Sequence, residues 1–134
     1  MSDTLTRKAF EKRLALMSPP LATAYENVKY VPVNGTPYQK VNLLPGQPEN
    51  PTLGDDYYRE IGVFQITLRY PIETGPAAAE ERAEAVIQHF KRSTSMTESG
   101  QTVQVIRTPA KAPAFIDVDR YCIPISIYYR TEIF

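Results

Sequence analysis

The chain has little of what most chemistry needs. Cys122 is its one cysteine, so no disulfide can form within it, which fits an intracellular or intravirion setting. His89 is its one histidine, so any histidine-based metal cluster or Ser–His pair has to use that residue. There is no excess of either charge: 15 basic residues balance 15 acidic ones. That balance argues against a general or sequence-specific nucleic-acid binder, whose affinity rests on surplus Lys and Arg meeting phosphates. It also favours association over free solubility. No stretch approaches the roughly 18 apolar residues of a membrane span. The N-terminal "MSDTLTRKAFEKRLALM" is charged throughout and lacks the apolar centre of a signal peptide. A phosphate-binding loop, a nucleophile elbow, a paired-cysteine motif and a dinucleotide fingerprint are all missing.

What is there suffices for one domain over residues 1–134, with a hydrophobic fraction of 43%. Phe10, Leu14 and Met17 recur at helical spacing among charges, and Ser2, Asp3 and Thr4 offer capping oxygens, which predicts a helix over 4–17. "SPP" ends it. A helical turn near Leu21–Tyr25 and a strand near Val28–Val33 follow. The turn signal Asn34-Gly35 then predicts a hairpin with the strand holding Val41 and Leu43.

The cleanest alternation is "EIGVFQITLRY", with Phe64, Ile66, Leu68 and Tyr70 on one face. In "TGPAAAEERAEAVIQHF", Thr74 or Gly75 caps, Pro76 takes the first helical position, and Ala79, Ala83, Val86, Ile87 and Phe90 form one stripe. A second hairpin turns at Ser99-Gly100, and "PAKAPA" is a proline-rich connector. In the closing strand Tyr121, Ile123, Ile125, Ile127 and Tyr129 share a face. Pro124 marks that strand as an edge or a bulge. The order predicts an α+β fold: a mainly antiparallel sheet, two principal helices packed against it, and a long Pro/Gly-rich loop between early strands.

That loop, "LLPGQPENPTLGDDYYRE", is several times longer than usual connections. Its prolines and glycines leave it without a predicted ladder. Glu49, Asp55 and Asp56 are its oxygen-ligand candidates, but they lack the alternating spacing of a calcium loop and read better as turn caps. Glu80, Glu81 and Glu84 crowd one helix and read as a solvated face. His89 reads as a partner of the helix dipole, and Cys122 as a small packing residue. The adjacent pairs Tyr57-Tyr58 and Tyr128-Tyr129 must split between two faces if they lie on strands. Outward tyrosines suit an interface, although a sheet covered on both faces would also account for them. Spacing alone therefore describes an α+β domain without an active site, leaning towards assembly.

The ordered set "NLLPG", "LGDDYYREIGVFQITLRYP", "GPAAAEERAEAV" and "APAFIDVDRYCIPISIYYR" resembles the small tail terminator proteins of long-tailed bacteriophages and prophages, from about Tyr38 to Arg130. The resemblance implies a structural role with no enzyme activity and no cofactor. It implies a chain that is monomeric when free and joins a ring, usually a hexamer, on the last ring of tail-tube protein. That ring stops tube growth and meets the head-side connector or head-completion protein. The setting is the head–tail junction of the virion, and the host cytoplasm during assembly. Leu53, Asp55, Asp56, Tyr57, Tyr58, Arg59 and Glu60 are the candidate interface, and Glu80, Glu81 and Glu84 the candidates to face a lumen through which DNA passes. A head-closure or neck protein, and a small enzyme or ligand-binding domain using the acidic loop, are the alternative readings.

Overall fold

A computed structural model describes residues 2–50 and 58–133. Helix α1 (Ser2–Ala15) leads to β1 (Ala22–Ala24), β2 (Tyr38–Pro45) and β3 (Tyr58–Pro71). Helix α2 (Ala77–His89) follows, then β4 (Ser95–Glu98), β5 (Gln101–Val105), β6 (Ala110–Lys111), β7 (Phe115–Asp117) and β8 (Arg120–Ile133). The strands form one sheet ordered β1-β2-β3-β8-β5-β4, with β6 and β7 also pairing with β8. All pairs are antiparallel except β1 with β2. The fold is thus α+β, as expected.

The long β3–β8 ladder organises everything else, running from Tyr58↔Ile133 to Pro71↔Arg120. Its alternation buries Phe64, Ile66 and Leu68 of β3 and Ile123, Ile125, Ile127 and Tyr129 of β8 on one face. Both helices cover that face. Phe10 of α1 stacks on Phe64 with ring centroids 4.6 Å apart and meets the edge of Tyr129 at 5.6 Å. Ala79, Ala83, Val86 and Phe90 supply the buried stripe of α2, with Ile87 half-buried beside them. The two helices are tied at their C-terminal ends. The Arg13 guanidinium donates twice to the His89 carbonyl, at 3.0 and 2.9 Å, and His89 Nε2 donates to the Arg13 carbonyl at 2.6 Å. The histidine therefore fastens one helix to the other, which is more than answering a dipole.

Several local expectations are corrected. Residues 21–25 hold a strand in place of a helical turn, and Val28–Val33 are not a strand. Asn34-Gly35 does turn the chain, with Gly35 at φ +77° and Thr36 N donating to Val33 O, but no hairpin forms. β1 instead runs parallel to β2, because the intervening residues 25–37 loop back to the same end. Pro76 is the N-cap of α2, not its first helical residue, and the Thr74 hydroxyl turns away to the Pro71 carbonyl. The Pro-rich connector contributes β6.

Pro124 lies inside the sheet, opposite Thr67. It is tolerated because its carbonyl, and so its missing N–H, points away from β3 towards Ala112, whose N–H that carbonyl accepts. There the neighbouring β6 has already ended. The second hairpin forms as read, its Ser99 (φ 49°) and Gly100 (φ +83°) both left-handed as a tight two-residue turn requires.

Candidate assembly surface

The long loop begins as a continuation of the ladder. Gly46 N donates to Ile61 O at 2.8 Å, and Glu49 and Arg59 exchange two backbone bonds of 2.7 Å. This differs from a loop without a ladder. Pro45 and Pro48 each precede a residue that pairs with β3, so Gly46 and Glu49 supply the donors. Of the candidate interface residues, Leu53, Asp55, Asp56 and Tyr57 lie outside the described residues. Tyr58, Arg59 and Glu60 open β3 and are half-buried. Arg59 Nε donates to Glu132 at 3.0 Å, and its Nη1 stands 3.7 Å from Glu49, so this arginine holds the loop against β8. Glu80, Glu81 and Glu84 all lie on the exposed side of α2. Glu84 stands 3.6 Å from Lys111. Among the described residues no cluster of three or more His, Cys, Asp or Glu could hold a metal.

The tyrosine pair on β8 splits as alternation demands. Tyr129 is in the core, and Tyr128 faces the other way under the Arg107 guanidinium, 4.6 Å from its ring centroid. Cys122 is fully buried, and burial pushes its thiol up from its ordinary value. Such a thiol stays protonated and inert.

The opposite end of the β3–β8 ladder carries features that the sequence reading missed. There β7 and β8 join through a two-residue turn, Val118-Asp119. Val118 is left-handed at φ 55° and 88% exposed, and Ile116 beside it is 68% exposed. A β-branched residue in that conformation is strained, and such strain persists only where the surroundings impose it. Beneath Ile116 is an apolar cavity of about 360 Å³ floored by Pro71, Ile72, Pro76 and Tyr121.

Two arginines fix this end. Arg69 donates to Tyr38 Oη at 2.8 Å and to Asp117 at 2.7 Å. Arg120, only 3% exposed, lies over the Tyr38 ring and donates to the carbonyls of Thr36 and Val33. The signal in the sequence was a turn position occupied by valine where Asn or Gly is usual.

Across α2 from that hairpin is a second cavity, of about 380 Å³, walled by Pro19, Pro20, Leu21, Pro37, Ala78 and Ala85. Arg82 lines it and is only 8% exposed. One Arg82 nitrogen donates to the Pro19 carbonyl. Its Nε and Nη2 are buried without an acceptor among the described residues. Burial lowers its pKa, and the nearby Tyr70 hydroxyl opposes that. A buried cation with two of its nitrogens unpaired is costly.

The molecule is a small α+β domain with both helices on one face of its sheet and an apolar hairpin exposed at one end. The family comparison makes this specific: residues 5–129 match the phage tail terminator protein family, and the chain belongs to it. The protein is therefore a structural component of the phage tail. Seven solved chains match it as well. One is 27% identical with a TM-score of 0.81, and the alignment covers 100% of this chain and 98% of that one. A search of curated proteins gives no match.

Proposed function

We propose that the chain forms a ring, a hexamer in the assembled tail, on the last ring of tail-tube protein. The ring stops tube polymerisation and offers a surface to the head-side connector. Family membership over residues 5–129 is the observation that carries this reading. Two physical features support it. The chain has no net charge to keep copies apart, and it leaves Ile116, Val118, Val31 and Val33 in water. A closed ring joins unlike patches of one chain, so each copy presents two different surfaces to its neighbours.

Within this reading the loop end, Leu53, Asp55, Asp56, Tyr57, Tyr58, Arg59 and Glu60, is a contact surface towards the tube or a neighbour. Glu80, Glu81 and Glu84 face the lumen, where carboxylates keep passing DNA from sticking. Placement of those three far from the axis in cryo-EM of capped tails would reject the lumen assignment. The role as a whole is tested by deleting the gene and viewing particles in negative stain. Overlong tubes without heads are expected. Tails of normal length that merely lack heads would instead point to a head-closure or neck protein.

A further inference from the structure

Two unsatisfied features lie on opposite flanks of α2. On the β8 flank the β7–β8 turn exposes Ile116 and the strained Val118. Asp119 beside them is exposed and has no side-chain partner among the described residues. On the β2 flank is the proline- and alanine-walled cavity, with the Arg82 guanidinium buried in its wall. One feature is an apolar projection with a carboxylate; the other is a recess walled mainly by proline, alanine and leucine, lined as well by Tyr70 and Glu81, whose Arg82 has two nitrogens without an acceptor among the described residues. They are complementary in shape class, and the Asp119 carboxylate matches the two unpaired Arg82 nitrogens. Glu81 also lines the recess, so this contact takes it out of the lumen and leaves Glu80 and Glu84 there. Within one chain they cannot meet, because α2 and the β3–β8 ladder lie between them. Sitting on opposite flanks, they meet head to tail between copies related by rotation, which is the geometry of a heterologous contact.

We propose that the β7–β8 hairpin of one copy, through Ile116, Val118 and Asp119, seats in the Arg82 cavity of the next copy, with the Asp119 carboxylate accepting from Arg82. This rests on the ring reading and specifies the ring's subunit contact. The Arg82 nitrogens reach the incoming carboxylate by side-chain rotation, the usual scale of change on docking. The occupant is a second copy because the charge and apolar pattern the cavity lacks is present on this chain's other flank. The docked pair also accounts for Val118: a β-branched, left-handed residue left in water costs the monomer twice, and burial at an interface recovers one of those costs.

The test is a Val118→Cys/Ala78→Cys variant, co-expressed with the tail-tube protein so that rings form, then oxidised. Both positions are exposed in the monomer, and the native Cys122 is buried and does not compete. The expected result is a ladder of covalent oligomers on a non-reducing denaturing gel, absent from either single-cysteine variant. Rings seen by microscopy without the ladder would overturn this contact while leaving the ring reading intact. Absence of rings from the unaltered protein would overturn both. A dimer from Val118→Cys alone would mean like-to-like contact and also overturn it. A second measurement uses Arg82→Gln and Asp119→Asn. Each is expected to weaken ring formation at least about tenfold, as loss of one partner of a buried pair does. The double variant should be no worse than the singles, whereas additive losses would show that the two residues do not pair.

Discussion

Gly62 sits opposite Tyr129 in the β3–β8 ladder, and the tyrosine ring lies across the space where a side chain would be. A Cβ at Gly62 would come within 2.6 Å of Tyr129 Oη and 2.8 Å of the Leu44 carbonyl. Gly62→Ala should therefore destabilise the fold by about 1–3 kcal/mol through overpacking, despite alanine's lower unfolded entropy. Urea unfolding measures it, and Tyr129→Phe in the same chain should recover part of the loss. Tyr129 itself makes a pH prediction. Burial in the core, with the Asp3 and Glu60 carboxylates adding to it, pushes its hydroxyl up to about 12. The folded state then holds its proton where the unfolded chain, titrating near its ordinary value of about 10, releases it. The stabilisation is complete below pH ~10 and is lost as pH rises towards ~12. Thermal melts across that range should fall, and Tyr129→Phe should flatten the slope. Val118 predicts the opposite sign to Gly62. Val118→Asn places a residue that tolerates the left-handed region where valine is strained, and should stabilise the monomer by about 1 kcal/mol. The same change should weaken capping of tail tubes, and a melt paired with a tube-length measurement separates the two effects.

At the scale of elements, the outer strands decide how copies can meet. β1 covers only the start of β2, from Tyr38 to Lys40. Beyond it, the Glu26 carboxylate accepts from Leu43 N, with Arg7 3.3 Å away holding the carboxylate in place. Pro45, on the same outward side, has no donor to offer. The edge is therefore blunted by a charge and a proline, two devices that prevent strand addition. Glu26→Ala should cost about 1 kcal/mol by leaving that N–H without its acceptor. It should also raise concentration-dependent aggregation, visible as light scattering; unchanged scattering would mean the edge is protected by something else. The closing strand, which Pro124 marked as an edge or a bulge, lies inside the sheet between β3 and β5.

The contrast shows what local pattern carries. Alternation in Phe64–Tyr70 and Tyr121–Tyr129, and the α2 stripe, named the core because one buried face forces a period. The parallel β1, the interior Pro124 and the Arg82 cavity depend on which distant strand or segment lies alongside. No window of sequence holds that information. The loop after Leu43 was legible as a candidate surface from its length. The hairpin at Val118 leaves only a faint mark, a valine at a turn position, because the strain itself appears only once the backbone is placed.

For the whole molecule, neutrality and a blunted edge together set when association occurs. Fifteen charges of each sign give no long-range repulsion to hold copies apart, so in the proposed assembly the barrier to premature rings has to be local. It lies in the geometry: the exposed hairpin is small, and a single heterologous contact is weak because orienting two free copies costs entropy that one patch does not repay. On the proposed reading, a tube end removes most of that cost by presenting several copies in register, so that each added subunit gains a neighbour and a base at once. The expectation is that purified protein sediments as a monomer at micromolar concentration. Added to polymerising tail-tube protein, it should stop elongation at about one ring's worth of copies per tube end, with mean tube length falling as its concentration rises. Val118→Asp, which puts a charge at the tip of an already exposed turn, should melt no lower than the parent, since Asp, like Asn, tolerates the left-handed conformation in which valine is strained. It should leave tube length unlimited. If this variant capped tubes as well as the parent, templating would depend on the loop end at Tyr58–Glu60, and the hairpin would be excluded from the contact.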